Sequence, residues 1–200
     1  MFYLERFIKA QDRGHSYEMA LEEIREGRKW SHWIWYVFPQ VLGLGNSEMS
    51  LRYSIDSLLE ANAFMEDPVL SARLIEAATT VENVRSQQCY SMEEIFGDLD
   101  TQKVKSCMTL FDYVAPDSIF QRVLQNCFHD SDCQFTRNKL DPQYEWIRES
   151  AFKRHGMQMD QKAMFESGSF ESGPGVDIDC SYILTLCPNS EEYLSDECSR

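Results

Sequence analysis

The sequence lacks the short motifs that most often identify a catalytic or nucleotide-binding site. Its 200 residues contain no G-x-G-x-x-G, P-loop, H-E-x-x-H, G-x-S-x-G or EF-hand loop. The four histidines, at positions 15, 32, 129 and 155, are scattered without the spacing of metal ligands. The sequence therefore predicts no metal site and no cofactor.

Positive charge is also scarce. Nineteen lysines and arginines stand against 33 aspartates and glutamates, which gives a formal net charge of -14. A surface of that sign is not suited to the phosphates of nucleic acid or to anionic lipid. The longest apolar run, Trp33 to Pro39, is far shorter than the roughly 20 residues that cross a bilayer. We expect a soluble protein that binds neither nucleic acid nor membranes.

The cysteine pattern does not predict a set of disulfide bonds or a zinc site. There are seven, an odd number, and no pair has C-x-x-C spacing. A disulfide scaffold and a zinc ribbon are therefore disfavoured, and reduced thiols in a cytoplasmic protein fit best. Cys107 falls on the apolar face of a predicted helix, where a cysteine is typically inert core rather than a nucleophile.

Helical periodicity dominates residues 1–140. Apolar residues recur at helix spacing in successive segments, and no segment alternates apolar and polar residues long enough to predict a strand. Asp67 followed by Pro68 is typical of a helix start, and Ser91 with Glu94 matches a capping box. The predicted fold class is all-α, a single compact bundle of about seven helices.

The pattern changes after Leu140. Residues 141–165 keep enough apolar residues for an extra helix, whereas 166–200 are rich in serine, glycine and acid. The last forty residues contain eight acidic and two basic side chains. The composition of 166–200 predicts a disordered acidic tail. An alternative is that the segment from Cys180 to Cys187 docks on a protein partner.

The segment GRKWSHWIWYVFPQ, residues 27–40, holds three of the four tryptophans. If 28–38 is helical, one face carries Trp30, Trp33, Ile34, Val37 and Val41, and we expect that face to be buried. His32 falls outside this face. Two interpretations of His32 stay open at this point, a hydrogen-bonded core histidine or a residue that lines a pocket.

A small-ligand site is predicted where this segment meets the helix that contains residues 103–111. Cations would neutralise an anionic group, an indole would stack on a ring, and glutamines would form hydrogen bonds. His32 is the acid/base candidate, because its ordinary pKa of about 6.5 suits proton transfer near neutrality. The predicted ligand-binding residues are Gln11, Arg28, Lys29, Trp33, Trp35, Gln40, Lys105 and Ser106.

The ligand class that satisfies these residues is an anionic small molecule, such as a nucleotide or an ADP-ribose-like metabolite, with hydrolysis as a further hypothesis. The alternative function is a non-catalytic interaction module whose acidic tail recruits a protein partner.

Several blocks of the sequence resemble one family. They include RFIKAQ, SHWIWYVFPQ and IFGDLDTQKVKSCMTLF, in that order along the chain. Over about residues 2–130 the chain resembles the uncharacterised family called domain of unknown function 1810. The resemblance implies a mainly helical single domain and implies no established reaction.

Overall fold

The computed structural model describes the backbone of residues 2–154 and the side chains of residues 2–146. The predicted tail at 166–200, with its Cys180–Cys187 segment, lies outside this part of the chain. Within it the helices are α1 Glu5–Asp12, α2 Ser16–Arg25, α3 Ile34–Val37, α4 Glu48–Arg52, α5 Leu58–Glu66, α6 Pro68–Gln88, α7 Met92–Asp112, α8 Ile119–Phe128 and α9 Gln134–Arg154. A 3-10 turn, Arg13–His15, joins α1 to α2.

The all-α prediction is confirmed. The described residues contain no strand, only an isolated bridge between Val41 and Ile55. Residues 1–143 form one compact unit. Of the second unit, 144–200, the structure describes the helical turns up to Arg154. The sequence boundary at Leu140 falls inside α9, and the division into a domain at 1–140 and a tail stays a prediction.

Side-chain caps fix where several helices begin. The Asp67 carboxylate accepts the backbone N–H groups of Val69 and Leu70 at 2.9 and 3.0 Å, and Pro68 follows at the first helical position. Ser91 and Glu94 form the predicted capping box at the start of α7. These partners satisfy N–H groups that a helix leaves free at its N-terminus, so local sequence determines these starts.

The core of the first unit is aromatic and aliphatic. Helices α6 and α7 both pack on α8, and α2 and α5 pack on α6. The largest fully buried side chains are those of Trp33, Phe7, Phe38, Phe64, Phe111 and Phe120. Cys107 is also fully buried, as predicted, and burial raises the pKa of its thiol well above the ordinary value.

The predicted helix over 28–38 is wrong for its first half. Only Ile34–Val37 is helical, and Trp30, expected in the core, is 62% exposed. Helix α2 ends instead in a Schellman motif, in which Gly27 has a φ of +73°. The N–H of Gly27 donates to the carbonyl of Ile24, and the N–H of Arg28 donates to that of Glu23. The chain therefore leaves helical geometry before the tryptophans begin.

Gly27 suits this turn because of its backbone conformation. Its φ lies in the left-handed region that favours glycine. A β-carbon there would also contact the exposed Tyr90 ring, which would have to move. A glycine directly after a helical segment is the usual sequence signal for such a helix end.

The C-terminal end of α7 contains an unfavourable carboxylate. The Oδ1 atom of Asp112 is buried and has no hydrogen-bond partner among the described residues. Burial, together with the nearby carboxylates of Asp117 and Asp132, raises the pKa of Asp112 to about 6, and Arg137 opposes this rise. Asp112 is the last residue of α7, where the helix dipole also disfavours a negative charge.

Because this pKa is raised in the folded state, the protonated form of Asp112 stabilises the fold, and that stability is lost as pH rises from about 4 through about 6. We expect Asp112→Asn to increase the free energy of unfolding at pH 7.5 by about 1 kcal/mol, a figure reduced for the partial exposure of the side chain. At pH 4 the gain should vanish. Urea denaturation at both pH values measures the free energy of unfolding, and the exposed Asp98→Asn is the control. A gain that is equal at the two pH values would contradict the assignment.

Candidate functional site

The carboxylate of Glu23, on α2, organises the first half of the aromatic segment. It accepts hydrogen bonds from the backbone N–H groups of Trp30 and Ser31, from the Ser31 hydroxyl, and from Nε1 of Trp33 at 2.7 Å. Burial tends to raise the pKa of Glu23, but the bonds from Ser31, Trp30 and Trp33 outweigh it and hold the pKa below its usual value. Glu23 therefore fixes the path of 30–33 and anchors the Trp33 indole.

Two lysines share one carboxylate beside this segment. Nζ of Lys29 lies 2.7 Å from Oδ2 of Asp100, and Nζ of Lys103 lies 2.7 Å from Oδ1 of the same residue. The backbone N–H of Lys29 also donates to the carbonyl of Ile95 at 2.7 Å, which fastens this part of the chain to α7. Two positive charges and one negative charge thus meet at one point, with a net charge of +1.

The same lysines lie over two of the indoles. Lys103 Nζ is 4.8 Å from the ring centroid of Trp35, and Lys29 Nζ is 5.3 Å from that of Trp33. Both distances are within the range of cation–π attraction. Lys29, Trp33, Trp35, Asp100 and Lys103 are named the tryptophan–lysine cluster below.

The two indoles differ in what they can offer. Trp33 is fully buried, and its ring packs against Phe38 and Phe96 with centroids 6.3 Å away in each case. Its N–H is also engaged by Glu23, so a ligand has no access to the ring. Trp35 is partly exposed. Of the two stacking candidates, Trp35 is the one that the geometry leaves accessible.

Arg28 and His32 lie on the exposed side of the segment. The Arg28 guanidinium stacks over the Trp30 ring, 3.9 Å from its centroid, and both side chains face solvent. His32 is exposed as well, and forms no hydrogen bond or ion pair with the part of the chain that the structure describes. The core interpretation of His32 is therefore wrong. The imidazole is accessible to water because it follows the exposed Trp30–Ser31 turn rather than a buried helix.

The two predicted glutamines are used within the fold. Gln11 donates to the carbonyl of Tyr36 at 2.8 Å and accepts from Arg73 at 3.1 Å. Gln40 donates to the carbonyl of Phe38 and is buried. Both amides bind carbonyls toward the C-terminal end of α3, and neither forms a hydrogen bond with a residue of the tryptophan–lysine cluster.

Lys105 and Ser106 also lie away from the cluster. Two residues along a helix correspond to about 200° of rotation, so Lys105 cannot share the side of α7 that carries Lys103. Its Nζ donates to the Ser131 hydroxyl at 2.7 Å. Ser106 is fully buried and is hydrogen bonded to the Thr136 hydroxyl at 2.8 Å.

Three residues of this region were absent from the predicted site. Lys103 and Asp100 stand three apart, which is the spacing of neighbours on one helix face, and this signal could have selected Lys103 over Lys105. Glu23 carried no such signal, because it lies in an acidic run, LEEIREG, that is typical of a solvated helix face.

Two kinds of feature are absent from the residues that the structure describes. No group of three histidine, cysteine or acidic side chains within 2–146 is arranged to hold a metal ion. Among the helices that the structure describes, none is long and apolar enough to cross a membrane.

Comparisons with known proteins identify the family of this chain but give it no function. Residues 1–140 match the family described as "Protein of unknown function (DUF1810)". No curated protein matches the chain. A solved structure, that of the conserved hypothetical protein Rv1873 from Mycobacterium tuberculosis, is 39% identical with a TM-score of 0.65. The likeness covers 70% of this chain and 97% of that one. Since the family match spans well over half of the sequence, the chain belongs to the DUF1810 family.

Proposed function

We propose that this protein binds a small anionic molecule with a planar ring, such as a nucleotide or an ADP-ribose-like metabolite, at the tryptophan–lysine cluster. The observation that carries the proposal is that Lys29 and Lys103 share one carboxylate while Lys103 lies over the partly exposed Trp35. A cationic group beside an accessible indole is the pair of features that an anionic ring requires.

The charge supports the same ligand class. The chain as a whole carries -14, yet Asp100 leaves one excess positive charge between the two ammonium groups. Arg28 adds a further cation on the exposed side of the segment. A local positive site on an acidic surface attracts a small anion, whereas the surrounding charge repels a long polyanion.

His32 remains the acid/base candidate if the bound molecule is hydrolysed. Its imidazole is exposed and unpaired within the described residues, so it is free to transfer a proton to a ligand or water. The alternative function, an interaction module with an acidic recruiting tail, depends on residues 166–200, which lie outside the described part of the chain.

A matched pair of variants tests the proposal. We expect AMP at 100 times its dissociation constant to raise the free energy of unfolding of the wild-type protein by about 2.7 kcal/mol, measured as a shift in Tm. Lys105→Ala should keep this response, because Lys105 lies on another side of α7. Lys103→Ala should lose it. Equal responses in the two variants, or none in the wild-type protein with AMP, ADP-ribose and sugar phosphates, would overturn the proposal.

A further inference from the structure

We propose that the ligand carries a phosphate monoester, and that Asp100 occupies the position of this phosphate until the ligand displaces it. The inference rests on the proposed function and adds to it a ligand class and a residue that controls access.

The Asp100 carboxylate lies between the Lys29 and Lys103 ammonium groups as a bound anion would. Each carboxylate oxygen accepts from a different lysine at 2.7 Å, so the group bridges the two ammoniums. The three side chains are largely shielded from water, with 9% of Lys29, 16% of Asp100 and 23% of Lys103 exposed. The two lysines are thus held by Asp100 in the positions that an incoming anion would need.

The charge balance selects phosphate over carboxylate. A carboxylate ligand that replaced Asp100 would exchange one single negative charge for another and leave the excess positive charge unchanged. A phosphate monoester carries about -1.5 to -2 at pH 7, which matches the two ammonium groups. Trp35 lies beside Lys103, so a ring attached to that phosphate has an indole next to it. A nucleoside monophosphate combines both groups.

Displaced Asp100 has access to water. Its side chain is 16% exposed, so the carboxylate lies at the edge of the solvent-accessible surface. This part of α7 follows Gly97, which interrupts helical geometry with a φ of +73°. Exchange would also change the ionisation of Asp100. Burial tends to raise its pKa, but hydrogen bonds from Lys103 and Lys29 outweigh burial and lower it.

The first test compares AMP binding to the wild-type protein, Asp100→Asn and Asp98→Asn by isothermal titration calorimetry. Asp100→Asn should bind AMP roughly tenfold more tightly. In the wild-type protein, AMP binds only the fraction of molecules in which Asp100 has left the lysines, and the measured affinity falls in proportion to that fraction. Asp98→Asn should match the wild-type protein, and adenosine, which lacks the phosphate, should not gain affinity from Asp100→Asn. Unchanged or weaker AMP binding by folded Asp100→Asn overturns the inference.

The second test uses the wild-type protein and therefore does not depend on the stability of a variant. The pKa of Asp100 is followed by carbon NMR of its carboxyl group with and without saturating AMP. Displacement removes both lysine donors, so the pKa should rise on saturation, and a pKa that does not move contradicts displacement. If the wild-type protein binds AMP but both tests fail, only this inference falls. If no variant binds AMP, the proposed function falls with it.

Discussion

Replacing Trp33 by alanine is expected to lower the free energy of unfolding by about 3–5 kcal/mol, the usual cost of truncating a buried aromatic residue. Trp33 is fully buried between Phe38 and Phe96, and its N–H is hydrogen bonded to Glu23. Alanine would leave a cavity among these rings and an acceptor without its donor. Chemical denaturation with a tryptophan-independent probe, such as far-UV circular dichroism, measures the loss.

Trp30→Ala is the matched control. The same substitution at this neighbouring tryptophan should cost less than about 1 kcal/mol, because the side chain is 62% exposed. Equal losses for the two variants would mean that 28–33 is packed as the helix that the sequence predicted, with Trp30 in the core.

Glu23→Ala is expected to destabilise the protein by about 3 kcal/mol, although Glu23 lies on an acidic helix face. The substitution removes the common acceptor of the Trp33 indole, the Ser31 hydroxyl and two backbone N–H groups. Donors left unpaired in a partly buried position carry a large penalty, more so when the lost acceptor was charged. Glu22→Ala, at an exposed neighbouring position, should change stability little. Urea denaturation of both variants measures these losses of stability. Similar small losses in the two variants would contradict the role of Glu23.

The pH dependence of this contribution has a definite sign. The folded-state pKa of Glu23 lies below its usual value, so its contribution is fully present above about pH 4.5 and is lost as pH falls through the folded-state pKa. The difference in stability between the wild-type protein and Glu23→Ala should therefore narrow below pH 4. This is opposite to the sign expected for Asp112, whose pKa is raised.

The parts of the fold that depend on local chemistry were predictable. Asp67, Pro68 and the Ser91–Glu94 box act within three residues of their own position, so the sequence around them contains the whole interaction. The buried face of α8, which carries Phe120, Val123 and Leu124, and the buried Cys107 both follow from helical spacing alone. Such interactions require no knowledge of which segments meet.

The aromatic segment was mispredicted for the opposite reason. Its spacing fits a helix with Trp30 and Trp33 on one face, but the Glu23 carboxylate binds the Trp30 and Ser31 N–H groups and the Trp33 indole, and so holds 30–33 in a non-helical path. That partner lies on the preceding helix, beyond the Gly27 turn. Periodicity registers only which residues are apolar, and it cannot report that a carboxylate in another element holds the backbone.

The candidate site could also be predicted only in part, because it depends on contacts between separate elements. The sequence placed Lys29 and Trp35 in the segment that meets α7. Choosing between Lys103 and Lys105, however, requires knowing how α7 is rotated about its axis, which the sequence does not show. The ion pair of Lys103 with Asp100 fixes which lysine faces Trp35. Since two neighbouring lysines differ by about 200°, an error of two residues moves the predicted cation to the other side of the helix.

The most direct measurement is an AMP titration followed by the indole N–H signals in a proton–nitrogen NMR spectrum. The chain has four tryptophans, so assignment needs only the individual Trp→Phe variants. Binding at the tryptophan–lysine cluster should shift the Trp35 signal saturably in the wild-type protein and in Lys105→Ala, and should leave it in place in Lys103→Ala. A Trp35 signal that stays fixed up to about 10 mM AMP, a concentration that detects even weak millimolar binding, would contradict the account.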